Sequence, residues 1–128
     1  MKWLARILVG LVAAFFFVWG LRFYFSPDEM AAEFFIAASG ATGLSTVRGD
    51  LGGLFVGVGL LAAAGLRRGS YRLLYTAATI IGAVAFGRFV GFAYDGTPMT
   101  SVVPFVAELV FVAVLLFGAF QLRTEKRQ

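Results

Sequence analysis

Four apolar stretches, each close to the length an α-helix needs to cross a bilayer, dominate this sequence. They fall at about residues 3–25, 50–66, 72–94 and 102–122. A spanning helix needs about 20 predominantly apolar residues. The chain is 60% hydrophobic over 128 residues, where soluble domains hold roughly 45–50%. A soluble domain this small has too little interior to hide that surface, whereas a bilayer solvates it directly. The expected fold is therefore all-α: a single polytopic membrane domain, 1–128, built as a four-transmembrane-helix bundle.

The connections are short, with one exception. Residues 67–72 form a tight basic turn around Gly69 and Ser70, and residues 95–101 form a second turn with Asp95-Gly96 and Pro98. Pro104 is expected in the first turn of the fourth span, where a missing N–H costs little. Residues 26–49 are longer. Ser26-Pro27-Asp28-Glu29 has the signature of a helix start, with Ser26 as N-cap and Pro27 at the first helical position. A short amphipathic helix over 27–38 is expected there, with Met30, Phe34, Phe35 and Ala38 on its apolar face. Residues 39–46, rich in Gly, Ser and Thr, read as a loop. Lys2 and Arg6 resemble the start of a signal peptide, but the apolar run after them is long and lacks a clean small-residue cleavage site.

The basic residues set an orientation. With four spans, Lys2, Arg6, Arg67, Arg68, Arg72, Arg123, Lys126 and Arg127 share one side. Asp28, Glu29, Glu33 and Asp95 occupy the other, with Arg22 and Arg48 near its boundary. The positive side is expected in the cytoplasm, and with it both termini. Trp3, Trp19, Tyr24, Tyr71, Tyr75 and Tyr94 lie near span ends, as interfacial aromatics do. The net charge of +4 is thus accounted for by helix ends, and nucleic acid is not an expected partner.

The absence of Cys removes disulfides and thiolate chemistry, and the absence of His removes the usual proton shuttle and the commonest metal ligand. Ser39, Thr42, Ser45 and Thr46 have no histidine to activate them. The glycines follow helix-packing spacing, and no Lys-Ser/Thr completes a phosphate loop. No enzymatic activity, metal or cofactor is expected. Gly49, Gly53 and Gly57, and likewise Ala83, Gly87 and Gly91, recur every fourth residue. Such stripes are expected to pack spans two and three inside the bundle, or to form a homodimer seam.

Charge inside a bilayer needs a partner or a task. At 1.5 Å per residue, Arg88 stands roughly 22 Å above the cytoplasmic end of span three, and Glu108 roughly 21 Å above that of span four. An Arg88–Glu108 ion pair is expected. Asp50 comes out at roughly 24 Å, and Arg22 and Arg48 at roughly 27 Å. Asp95, seven residues beyond Arg88, shares its helix face. Arg22, Arg48, Arg88, Asp50, Asp95 and Glu108 are thus expected to converge on the outer third of the membrane, with Glu33 covering them. Such a cluster is either a polar clasp that fixes helix register or a binding site. Arginine suits an anionic group because its fork holds two oxygens at once. A carboxylate partner would hold the arginine ready or exchange a proton as the ligand arrives.

The run Arg48-Gly49-Asp50-Leu51-Gly52-Gly53-Leu54-Phe55 resembles a pattern in a family of uncharacterised bacterial inner-membrane proteins with four helices. Gly87-Arg88-Phe89-Val90-Gly91, Asp95-Gly96, Glu108-Leu109 and Ala32-Glu33-Phe34-Phe35 look like further signatures of that family. The resemblance covers most of the chain. It implies a bacterial inner-membrane location and a shared charged cluster, and it supplies no activity. A more distant likeness is to DoxX-like four-helix membrane proteins.

Three functions follow as expectations. One is a binding or transport module for a small anion or lipid head group at the outer leaflet. Another is a structural or accessory subunit of a membrane complex, partnered by other membrane proteins or by copies of itself, in which the charges only clasp helices. The third is a small transporter. A proton-coupled four-helix drug exporter fits poorly, because the charge bias is strong and the one glutamate within a span faces an arginine.

Overall fold

A computed structural model describes residues 1–128, all helical apart from short connections. Helix α1 is Lys2–Phe25 and α2 is Pro27–Glu33. Helix α3 runs over Gly40–Arg68, α4 over Tyr71–Asp95 and α5 over Met99–Arg127. Helices α1, α3, α4 and α5 are each long and apolar enough to cross a membrane. The chain is therefore an all-α, multi-pass membrane protein with one short helix between its first two spans.

Three sequence expectations change. Residues 40–46 are helical, not a loop, so span two begins about ten residues earlier than expected at residue 50. Extending an existing helix adds one hydrogen bond per residue without a new nucleus, which offsets the weak propensity of Gly, Ser and Thr. Within α3, Val47–Gly52 widens into a π-helical turn. Helix α2 stops at Glu33 instead of continuing to Ala38. Pro104 lies inside α5 rather than in its first turn, because the helix already begins at Met99.

Two paired-bond helix ends explain the turns. After α3, Ser70 N–H donates to the Gly65 carbonyl (2.8 Å) and Gly69 N–H to that of Leu66 (3.3 Å), with Gly69 at φ 61°. This is the left-handed C-terminal turn that glycine adopts without strain. After α2, Ile36 N–H donates to Ala31 (2.8 Å) and Phe35 N–H to Ala32 (3.1 Å), the same motif. Its left-handed residue is Phe35, at φ 58° and largely exposed. The expected apolar face of α2 loses Phe35 for this reason, and Met30, Ala31 and Phe34 carry the packing instead. Ser26 caps α2 with its backbone carbonyl, which accepts from Met30 N–H; its side chain makes no capping bond.

The chain forms two compact units, Ala13–Leu60 and Met1–Val12 with Leu61–Gln128. In the first, Phe23, Met30, Ala31 and Val47 form a core flanked by Trp19, Phe34, Leu51 and Phe55. Phe23 stands 5.1 Å from Phe34 and 5.2 Å from Phe55, ring to ring. Helices α1 and α3 touch at glycines: a Cβ on Gly59 would lie 2.8 Å from the Phe17 nitrogen, and one on Gly20 2.7 Å from the Val56 nitrogen. In the second unit, Leu74, Ala77, Ala78, Ile81 and Ala85 bury one face of α4 at helical spacing, and Leu115, Gly118, Ala119 and Leu122 one face of α5. Gly118 admits Val9, and Gly65 admits Leu74.

The stripes picked out by spacing are not the packed ones. A Cβ on Gly49, Gly53, Gly57 or Gly87 would meet nothing within 4 Å, and at Gly91 the nearest atom is an Asp95 carboxylate oxygen at 4.0 Å. Lipid tails are as apolar as leucine, so close packing, not hydrophobic transfer, holds such helices together. That places the stabilising contacts at Gly20, Gly59, Gly65 and Gly118.

Candidate functional site

Helices α4 and α5 are antiparallel and joined by the three residues Gly96–Pro98. Positions at similar distances from that turn come side by side. Arg88 is seven residues before the end of α4, and Glu108 nine after the start of α5, roughly 10 and 14 Å from the turn. Arg88 Nε donates to Glu108 Oε1 at 2.8 Å. Arg88's side chain is 29% exposed and that of Glu108 11%. Glu108 is the one buried charged residue of the chain.

The pair is held by a single nitrogen. A guanidinium matched to a carboxylate usually offers two parallel N–H groups; here only Nε is engaged, and the two terminal nitrogens make no hydrogen bond. Glu108 Oε2 is buried and accepts none either. Arg88 also lines a cleft of about 230 Å³ at the α4–α5 turn, together with Gly91, Phe92, Asp95, Gly96, Pro98 and Ser101. Phe92 is braced edge-on by Phe105 at 5.2 Å, giving the cleft an apolar wall. Asp95 is exposed at the last position of α4 and makes no ion pair. Gly96, at φ 91°, turns the chain there.

The other expected site residues lie in the Ala13–Leu60 unit and are engaged locally. Arg22 bonds Glu33 Oε1 at 2.7 Å and stacks 4.7 Å above the Trp19 ring, tying the end of α1 to the end of α2. Arg48 Nε donates to the Tyr24 carbonyl at 2.7 Å. That carbonyl is in the last turn of α1, where intrahelical donors run out and the helix dipole attracts a cation. The π-turn places Arg48 in reach of it. Asp50, in the same turn, is exposed and unpaired. Arg22–Glu33 thus lies in one unit and Arg88–Glu108 in the other.

One charged group was missed by sequence reasoning. Glu125 pairs with Arg6 at 3.0 Å and stands 3.7 Å from the Lys2 ammonium. A signal existed: Glu125 is the sole acidic residue among the basic residues of the positive side. The Tyr24 carbonyl and the Phe92 and Ser101 walls had no comparable signal, because a backbone acceptor and a cleft wall leave no pattern in residue types.

A family model described as a domain of unknown function (DUF4345) matches residues 4–119, which take in every residue of the cleft. No curated protein and no solved structure matches the chain.

Proposed function

The chain belongs to the DUF4345 family, and we propose that it is a bacterial inner-membrane protein whose Arg88 cleft binds a small anion or lipid head group at the outer leaflet. The positive-side bias of Lys and Arg supports cytoplasmic termini, which sets the α4–α5 turn on the opposite side. The observation that carries the reading is the half-engaged guanidinium: Arg88 is fixed through Nε, its terminal nitrogens have no acceptor, and the residue lines a cleft. Glu108 holds the arginine at membrane depth, and an oxyanion would occupy the open fork. The reading is of binding rather than chemistry. The cleft's only hydroxyl side chain is Ser101, and the chain has no histidine to activate it.

For the remaining arginines a clasp fits better, as an accessory or structural role would have it. Arg22 and Arg48 already have acceptors that join secondary-structure elements.

The test is ligand retention in detergent by native mass spectrometry, using dihexanoyl phosphatidylmethanol as a simple phosphate diester. A charge-assisted hydrogen bond contributes about 1.5–3 kcal/mol, so Arg88→Gln should weaken retention by roughly 10- to 100-fold. Arg22→Gln should leave it unchanged. Equal retention by wild type and Arg88→Gln would sink the reading.

A further inference from the structure

We infer that the Arg88 cleft is built for a zwitterion: a ligand carrying an oxyanion and a protonated amine a few bonds apart, as phosphoethanolamine does. The inference rests on the anion-binding reading above and narrows its ligand class.

Two opposite charges border one cleft without meeting. Arg88 and Asp95 are seven residues apart on α4, two helical turns, so they project from the same face about 10 Å apart along the axis. That separation is too long for a direct ion pair, and none forms. Arg88 retains two terminal nitrogens without acceptors, and Asp95 retains a whole carboxylate without a donor. A ligand with its own two charges spans the gap and satisfies both.

The local charge balance points the same way. Of the cleft's two charged residues, Arg88 is already met by Glu108 behind it and Asp95 is not, so the three groups sum to −1. A simple anion would deepen that imbalance, whereas a zwitterion adds no net charge. A second observation concerns Asp95 alone. It is the last residue of α4, where the helix dipole already presents its negative end. Carboxylate and helix end together favour a cation at the mouth of the cleft. Phe92 supplies an apolar wall on which the methylenes between the ligand's charges can lie.

The experiment compares matched short-chain lipids on the full chain in detergent, by native mass spectrometry. Dihexanoyl phosphatidylethanolamine and dihexanoyl phosphatidylmethanol share the phosphate diester and differ in the amine. Wild type should retain the ethanolamine lipid about tenfold more strongly, the worth of one charge-assisted hydrogen bond. Asp95→Asn should erase that preference while keeping phosphatidylmethanol bound. Dihexanoyl phosphatidylcholine, whose quaternary amine has no N–H, should fall between the two. Soluble sn-glycero-3-phosphoethanolamine, a phosphate diester with no net charge, added as competitor separates the sources: displacement assigns a free zwitterion, and no displacement assigns the lipid-borne head group. Equal retention of the ethanolamine and methanol lipids, or a preference that survives Asp95→Asn, overturns the inference and leaves the anion reading standing. Retention of neither lipid above Arg88→Gln overturns both.

Discussion

A guanidinium at membrane depth is tolerated when its charge is met, and the chain meets each of its inner arginines differently. Arg88 has a carboxylate, Arg22 a carboxylate and an indole face, and Arg48 a backbone carbonyl. A double-mutant cycle with Arg88→Ala and Glu108→Ala, followed by thermal unfolding in detergent, should give a favourable coupling of about 0.5–2 kcal/mol. Arg48→Ala should cost about 1 kcal/mol by leaving the last turn of α1 uncapped, with lipid retention unchanged. The Arg88–Glu108 encounter was legible in the sequence because counting residues along two antiparallel helices fixes relative height. The single-nitrogen geometry was not, since it depends on rotamers. Arg48 could not be assigned from residue types, because its acceptor is a main-chain oxygen that every residue carries.

Helices α1 and α3 owe their close approach to glycine, but to particular glycines. Gly59 and Gly57 sit one step apart in the alternation of small residues, yet only Gly59 faces backbone. Gly59→Ala should destabilise by about 1–3 kcal/mol through overpacking against Phe17 and Ala13. Gly57→Ala should be neutral or stabilising by up to about 1 kcal/mol, because it gains helix propensity at no steric cost. Unfolding midpoints of the two variants decide the matter. A four-residue spacing identifies a helix face and does not say whether a neighbour lies on it, which is why the stripes at Gly49–Gly57 and Ala83–Gly91 misdirected the packing expectation. Helix α2 offers a complementary test. Phe35 holds a left-handed conformation that costs a non-glycine residue about 1–2 kcal/mol. With its side chain exposed, Phe35→Gly should raise stability by about 1 kcal/mol.

At the scale of the whole molecule, the number of spans was legible because apolar length is a coarse property that survives errors at the ends. The boundaries were less so. The Gly-, Ser- and Thr-rich residues 40–46 read as a loop by composition and became helix by extension of the span that follows them. The functional reading depends on the α4–α5 turn facing away from the basic ends, since that alone puts the Arg88 cleft at the outer leaflet. The chain contains no cysteine, so single cysteines report position without background. Thr97→Cys, Ser70→Cys and Gln128→Cys, treated in intact cells with a membrane-impermeant maleimide, test this most directly. The account requires labelling at position 97, and labelling at 70 and 128 only after the membrane is opened. Labelling of positions 97 and 128 from the same side would contradict it.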